Sequence, residues 1–166
     1  TLRMALTWVL IFAAAFVVFT FRSNLKIVWD RVAVELGIRD GVQADGTLRV
    51  PRDEAGHFSV TATVNGRDVR FMIDSGATTT SMSVAAAAAS GVDVSEAGFP
   101  VIVSTANGTA EMRRARIARL AVGPIKRQDF PVLVSDTLGD TNLLGMNFLN
   151  TLKGWRVEGD TLVLNP

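Results

Sequence analysis

The chain has 166 residues, a formal net charge of +1 and no cysteine, so its length suits one domain with attachments. The near-neutral charge gives no electrostatic case for a nucleic-acid partner, and the lack of cysteine excludes disulfides and thiolate chemistry. The single histidine, His57, has no second histidine with which to form a metal cluster. A Ser-His-Asp arrangement would depend on this one histidine, and no GxSxG nucleophile elbow accompanies it. We therefore expect neither a metal nor a cofactor.

The N-terminal segment predicts a membrane anchor over residues 1–22. Ala5 to Phe21 carries no charge, and a helix rises about 1.5 Å per residue, so this segment and its flanks are long enough to cross a hydrocarbon core. A cleaved signal peptide is the alternative interpretation. The apolar run is long for a signal peptide, however, and it ends in bulky residues without an AxA-like cleavage site.

Residues 23–46 are predicted to form a juxtamembrane helix and a linker, ahead of a globular domain over residues 47–166. Apolar residues recur at helical spacing after the candidate caps Ser23 and Asn24; they are Leu25, Val28, Trp29, Val32 and Leu36. We expect a stalk or a surface helix, with a helix that pairs with a second copy as the alternative. Residues 37–50 are rich in glycine and aspartate, which is typical of a linker.

The globular part has the alternating pattern of β-strands. Phe58 to Val64 alternates apolar and polar residues, Asn65-Gly66 follows, and the apolar pattern returns over Val69 to Ile73. Asn-Gly is a strong hairpin signal because both central residues of a type I′ turn need positive φ. These residues therefore predict an antiparallel hairpin.

The remaining elements continue this pattern and favour a small all-β domain. Ser83–Ser90 is predicted to be a short helix that ends at Gly91, and Gly145–Leu152 to be a second one. Further strands are predicted at Pro100–Ser104, Thr109–Ala115, Arg116–Val122, Asp129–Val134, Trp155–Val157 and Thr161–Leu164. Many short strands with turn signals at regular intervals indicate a small closed β-barrel.

One acid stands at the end of a predicted buried strand. Asp74-Ser75-Gly76 follows the apolar run Phe71–Ile73, and about seventy residues later comes the segment Asn142–Met146, which reads NLLGM. Asp-Ser-Gly is also ordinary turn chemistry, since Asp and Ser bond their own backbone and Gly accepts positive φ. A carboxylate that ends an apolar strand, however, lies at the edge of the core and not in a solvent-exposed loop.

These motifs, in this order, resemble the retropepsin-like aspartic proteases. DSGAT follows an apolar strand, STANG lies in a hairpin, and LLGMNFLN contains LLG ahead of a short helix. The resemblance covers residues 57–152 at least. The sequence is similar in particular to the bacterial, membrane-anchored, single-domain members of this family. It implies that Asp74 is the catalytic aspartate and that the hydroxyl of Ser75 joins two active-site loops across a dimer.

The resemblance also assigns the neighbouring segments. Gly76, Ala77 and Thr78 would complete the active-site loop. The bracing loop beside it would be Leu143, Leu144 and Gly145. The flap that closes over substrate would be Thr105, Ala106, Asn107 and Gly108. The loop is DSG rather than DTG, and a serine hydroxyl can form the same bond across the dimer.

The chemistry supplies an independent reason for a dimer. An aspartic protease needs two carboxylates about 3 Å apart that share one proton, and no second D-[ST]-G occurs in the sequence. Asp74 would therefore meet Asp74 of a second chain on a two-fold axis. Charged residues on the descending flap strand, Glu111, Arg113, Arg114 and Arg116, have two interpretations. They are a solvated face, or they favour acidic residues in the substrate.

The favoured function is a membrane-anchored, homodimeric aspartic endopeptidase that acts on peptide or protein substrates. The resemblance favours the inner membrane, with the catalytic domain on the periplasmic side. One alternative keeps the fold without catalysis, as a membrane-tethered β domain that binds peptides or a protein partner. Another is a structural or interaction domain in which Asp74-Ser75-Gly76 is only a turn.

Overall fold

The computed structural model describes residue 4 and residues 42–44, 46–94, 100–105 and 108–166. The chain divides into two units, Thr1–Arg39 and Asp40–Pro166, and every strand and helix named below lies in the second. The predicted anchor and juxtamembrane helix lie outside the described residues. Among the residues that are described, no helix is long and apolar enough to span a membrane.

The described part of the second unit is built from β-strands and two short helices. The strands are β1 (Val42–Ala44), β2 (Thr47–Pro51), β3 (Ser59–Val64), β4 (Arg67–Ile73), β5 (Ser81–Ser83), β6 (Val101–Thr105), β7 (Gly108–Val122), β8 (Ile125–Ser135), β9 (Leu143–Leu144), β10 (Gly154–Glu158) and β11 (Thr161–Asn165). The helices are α1 (Val84–Ala89) and α2 (Met146–Leu149). The all-β class with short helices is confirmed.

The strands form two sheets. One has the order β1-β2-β11-β10, and the other has the order β3-β4-β9-β5-β8-β7-β6. In the larger sheet β3 also pairs with β7 through Thr63 and Val64. The strand pairing therefore runs from β3 through the sheet to β7 and back to β3. The closed barrel itself stays a prediction.

Local sequence signals explain the hairpin that leads to the acid. Asn65 and Gly66 both have positive φ, at 50° and 91°, as the type I′ turn requires. β3 then pairs with β4 in register from Val64↔Arg67 to Ser59↔Met72. The apolar positions of the predicted alternation face the core, because Val60 and Val64 are fully buried.

Both sheets contribute to one main core. Leu48, Val50, Leu162 and Leu164 of the four-stranded sheet belong to the same buried cluster as Phe71 and Ile117 of the larger sheet. Phe130 and Phe148 meet edge to face within it, with ring centroids 6.1 Å apart. This core fixes the positions of β4 and β9, which carry the acid and the bracing segment.

Three sequence-based boundaries need correction. Residues 37–50 are not all linker, because β1 pairs with β2 and β2 pairs with β11. The strands predicted at Thr109–Ala115 and Arg116–Val122 are one continuous strand, β7, which pairs with β8 along most of its length. The helix predicted at Gly145–Leu152 is shorter and spans Met146–Leu149.

Candidate active site

Asp74 lies at the end of β4 in a tight backbone turn. Its N–H donates to the carbonyl of Leu144 at 3.1 Å, and its own carbonyl accepts from the N–H of Ala77 at 3.2 Å. The carboxylate oxygen Oδ1 accepts from the N–H of Gly76 at 2.8 Å. Among the described residues there is no hydrogen-bond partner for Oδ2. The turn therefore fixes the half-buried carboxylate and leaves one oxygen available to a water or a substrate.

The predicted bracing segment lies directly beside this turn. β9 runs parallel to β4, with Met72 opposite Leu143 and Ile73 opposite Leu144. Gly145 then approaches the loop so closely that a Cβ there would lie 2.7 Å from the carbonyl oxygen of Ala77. Only glycine fits this position, because the atoms that a side chain would meet are backbone.

The N-terminus of α2 holds the same loop through backbone hydrogen bonds. The N–H of Met146 donates to the carbonyl of Ala77 at 2.8 Å, and the N–H of Asn147 donates to the carbonyl of Thr78 at 3.0 Å. The first N–H groups of a helix have no partners within the helix. Here the active-site loop supplies them.

A polar pair, the buried Thr80 and the half-buried Asn147, completes the brace, and sequence reasoning missed it. The Asn147 side-chain oxygen accepts from both the N–H and the hydroxyl of Thr80, each at 2.8 Å. Its amide donates to the carbonyl of Pro131 at 2.9 Å. Thr80 in turn accepts from the N–H of Gly145 at 3.1 Å. The available signal was an amide side chain inside the apolar segment GMNFL.

Asn142 is a second bracing residue without an assigned role in the sequence analysis. Its side-chain oxygen accepts from the N–H of Ser83 at 2.9 Å, and its amide donates to the carbonyl of Arg70 at 3.1 Å. Its backbone carbonyl also accepts from the N–H of Met72 at 2.9 Å. This side chain therefore joins the segments on both sides of β9.

A groove of about 1560 Å³ opens over Asp74. It is larger than the roughly 300–1,000 Å³ of a typical small-molecule pocket. Its floor includes four residues of the active-site loop, Asp74, Gly76, Ala77 and Thr78, together with Leu143 of the bracing segment. Its apolar walls come from the β6–β7 hairpin, β8 and the loop after β8, and include Val101, Val103, Ala110, Met112, Leu133 and Leu138.

The remaining predicted site residues lie beside this groove or beyond the described chain. Leu144 is fully buried beneath the loop. Ser75 is exposed, and its hydroxyl has no hydrogen bond to any described residue. Thr105 and Gly108 pair at the end of the β6–β7 hairpin. Ala106 and Asn107, the predicted flap tip, lie outside the described residues.

The flap hairpin packs against the groove wall through a small apolar cluster. Ala110 and Met112 of β7 are buried against Leu133 of β8. The hydroxyl of Ser135 donates to the carbonyl of Glu111 at 3.1 Å, which ties the base of the hairpin to the end of β8. The described hairpin strands and β8 therefore form one apolar wall of the groove.

Charged side chains in the groove lining are few. Within the part of the chain that the structure describes, they are Asp93, Arg114 and Arg116, besides Asp74. Arg116 forms an ion pair with Asp129, and the hydrogen bond from Arg116 lowers the pKa of the Asp129 carboxyl. Outside the groove, the backbone N–H of the exposed His57 donates to Asp53 at 2.8 Å.

Sequence comparison agrees with this geometry. A family profile described as "gag-polyprotein putative aspartyl protease" matches residues 60–151, which is more than half of the chain. The chain belongs to the retropepsin-like aspartic protease family. The matched region contains the Asp74 loop, the flap strands and the bracing segment of this family member. The retropepsin-like resemblance inferred from the motifs is therefore confirmed.

Similar proteins extend the same comparison. The crystal structure of a retropepsin-like aspartic protease from Rickettsia conorii is 28% identical, with a TM-score of 0.63, over 72% of this chain and 89% of that one. An uncharacterised Sinorhizobium protein encoded in the cobV 5′ region is 30% identical over 98% of this chain and 72% of that relative. An uncharacterised protein of Rickettsia prowazekii is 28% identical over 95% and 68%, respectively.

Proposed function

We propose that this retropepsin-like chain is a membrane-anchored aspartic endopeptidase that acts as a homodimer. The observation that carries the proposal is the position of Asp74. Its carboxylate lies on the floor of a large groove, in a loop held by backbone hydrogen bonds to Leu144 and Met146. A rigid carboxylate at the base of a peptide-sized groove suits acid–base catalysis of peptide hydrolysis.

The reaction needs two such carboxylates in different protonation states. One is ionised and takes a proton from a water, whose oxygen attacks the scissile carbonyl carbon. The other is protonated and donates to the carbonyl oxygen, which gives a tetrahedral diol. Proton transfer to the amide nitrogen then allows the C–N bond to break. The two acids titrate as a pair with shared macroscopic pKa values.

A second chain supplies the second acid in this proposal. Asp74 lies in the one D-[ST]-G loop of the sequence, so a two-fold axis beside the loop would bring two copies of it together. The exposed hydroxyl of Ser75 is then free to hydrogen-bond the partner's loop. The other carboxylate in the groove lining, Asp93, follows α1 and lies outside any such loop. Asp93 would be the second acid if a single chain formed the whole catalytic centre.

The groove suits an extended peptide. Its apolar walls accept side chains, while the flap hairpin offers backbone groups that can pair with a peptide strand. Hydrolysis of an extended segment favours substrates that are unfolded or that present flexible loops. The groove volume fits several residues at once, so binding energy would be spread over positions on both sides of the scissile bond.

The membrane anchor of this proposal is the apolar segment from Ala5 to Phe21. An anchored chain diffuses in a plane, which raises the effective concentration of monomers and favours the dimer. The resemblance supports a catalytic domain on the periplasmic side of the inner membrane. Fusion of a reporter enzyme to the C-terminus, active on one side of the membrane only, measures this orientation directly.

The catalytic claim is tested with matched carboxylate variants. The full chain, in detergent, is incubated with an unstructured protein, and cleavage is followed by mass spectrometry. Asp74→Asn should lower the rate by at least about a thousandfold, because the dyad loses its base. Asp93→Asn removes the same charge from the same groove and should keep most of the activity.

The other outcomes separate the alternatives. An Asp74→Asn protein as active as the parent would contradict the protease proposal. If the parent never cleaves but binds peptides in its groove, the chain is the non-catalytic binding domain. Loss of activity in both variants from a chain that stays monomeric would favour a dyad of Asp74 and Asp93 within one chain.

A further inference from the structure

We propose that Arg114 selects peptide substrates that carry an acidic side chain within about five residues of the scissile bond. This inference rests on the proposed protease function, because it concerns the same groove. It decides between the two interpretations that the sequence leaves open for the charged strand after the flap.

The register places Arg114 on the same face of the sheet as the groove floor. Five paired residues form a row across five neighbouring strands, and each of them lines the groove. In order, they are Met72, Leu143, Ser81, Leu133 and Arg114. Directly paired residues project to the same side of a sheet. The arginine therefore points into the groove that contains Asp74.

The same row sets the distance to the reacting bond. Neighbouring strands lie about 4.8 Å apart, so the four spacings from Met72 to Arg114 place their Cα atoms at most about 19 Å apart. Curvature of the sheet and the length of the arginine side chain both shorten the gap. An extended peptide advances about 3.3 Å per residue. The acidic residue is therefore expected within about five positions of the scissile bond.

Among the described residues that line the groove, Arg114 is the cation without an anionic partner. The Arg116 guanidinium donates to both the carboxylate and the backbone carbonyl of Asp129. In the described part of the chain, no ion pair or hydrogen bond involves the Arg114 guanidinium. An arginine is charged at every physiological pH and has five donors arranged for carboxylate. A substrate carboxylate is the group that would satisfy it.

The neighbouring arginine provides a matched control. Arg113 is also exposed, lies on the same strand and pairs with Val134 rather than Leu133. Successive side chains point to opposite faces of a strand, and Arg113 is not part of the groove lining. Replacing either arginine changes the net charge equally. A specific role for Arg114 must therefore appear in one variant and not in the other.

The experiment compares peptide pairs that differ by Glu or Gln at one position, for five positions on each side of the cleaved bond. With the full chain, kcat/KM should favour Glu by about three- to tenfold at one or more positions, as for a charge-assisted hydrogen bond in a partly enclosed site. Arg114→Gln should bring this ratio to about one. Arg113→Gln should leave it unchanged, and Arg114→Glu should reverse it in favour of the Gln peptides.

Failure of this inference is distinguishable from failure of the protease proposal. If the wild-type chain cleaves but shows no preference for Glu, or if the preference survives in Arg114→Gln, the inference is wrong and the protease remains. If the wild-type chain cleaves nothing, binding of the same peptides is measured by fluorescence anisotropy. Equal binding of Glu and Gln peptides by the wild-type chain overturns the inference there too.

Discussion

Replacing Gly145 by alanine should distort the active-site loop without touching a catalytic atom. The added Cβ would lie 2.7 Å from the carbonyl oxygen of Ala77 and 2.7 Å from the carbonyl carbon of Thr79. These distances are 0.7 Å inside the 3.4 Å at which ordinary contact begins. Backbone atoms cannot rotate away as a side chain would, so the loop and α2 must separate.

The magnitude follows from the contacts that the separation weakens. Overpacking in a filled region costs about 1–3 kcal/mol of unfolding free energy. The carbonyl of Ala77 also accepts from Met146 at 2.8 Å, and a net loss of one such bond is about 1 kcal/mol. We expect a total near 3 kcal/mol, or a fall of roughly 10 °C in Tm for a domain of this size.

The assay pairs thermal unfolding with peptide cleavage. Gly154→Ala is the control, because a Cβ at Gly154 meets nothing within 4 Å. We expect the control to keep its Tm and rate, whereas Gly145→Ala loses both, including activity measured well below its own Tm. A Gly145→Ala protein within about 0.5 kcal/mol of wild type and fully active would refute the close-packing explanation, since surface changes fall in that range.

Two further predictions concern the brace and the four-stranded sheet. Asn147→Ala leaves the buried N–H and hydroxyl of Thr80 without their acceptor and should lower the unfolding free energy by about 2–4 kcal/mol in a thermal or denaturant melt. Asn150→Ala, at an exposed site, is the control and should change the unfolding free energy by less than about 0.5 kcal/mol. Equal effects of the two substitutions would contradict the assigned hydrogen bonds. Hydrogen bonds from Arg156 and Arg49 hold the pKa of the Glu158 carboxyl below its ordinary value, so its contribution to stability is present above the ordinary pKa of a glutamate and is lost as the pH falls through the depressed value. Tm measured from pH 6 to pH 3 should therefore fall less in Glu158→Gln than in wild type, and parallel curves would contradict the assignment.

Sequence signals predicted the parts of the site that depend on local chemistry. Asn65-Gly66 specifies its turn within four residues, so the hairpin into Asp74 was predicted. Asp74 and Gly145 were placed through motifs in which one residue type is required by a turn or by a close approach. The structure supplies the physical reason for Gly145, namely the backbone of the loop beneath it.

Long-range partners explain what the sequence did not predict. β1 and β2 look like a linker in the sequence because β2 pairs with β11, more than one hundred residues away, and β1 pairs, among the described strands, only with β2. Thr80 and Asn147 are 67 residues apart, and neither belongs to a local pattern that would show its partner. The sequence-based prediction divided β7 at Arg116. The alternation of buried residues shifts by one position between Met112 and Ala115, where the strand passes from the small apolar cluster of the hairpin into the main core.

Two chains that share one catalytic centre make activity depend on the square of the fraction of intact subunits. Wild-type and Asp74→Asn chains are mixed in equal amounts, allowed to exchange subunits, and assayed at a total concentration above that needed for dimers. We predict about a quarter of the activity of an all-wild-type sample, because only one dimer in four then has both acids. Equal mixing with Asp93→Asn should leave most of the activity. A value of about one half with Asp74→Asn would contradict the shared centre and show that each chain works alone.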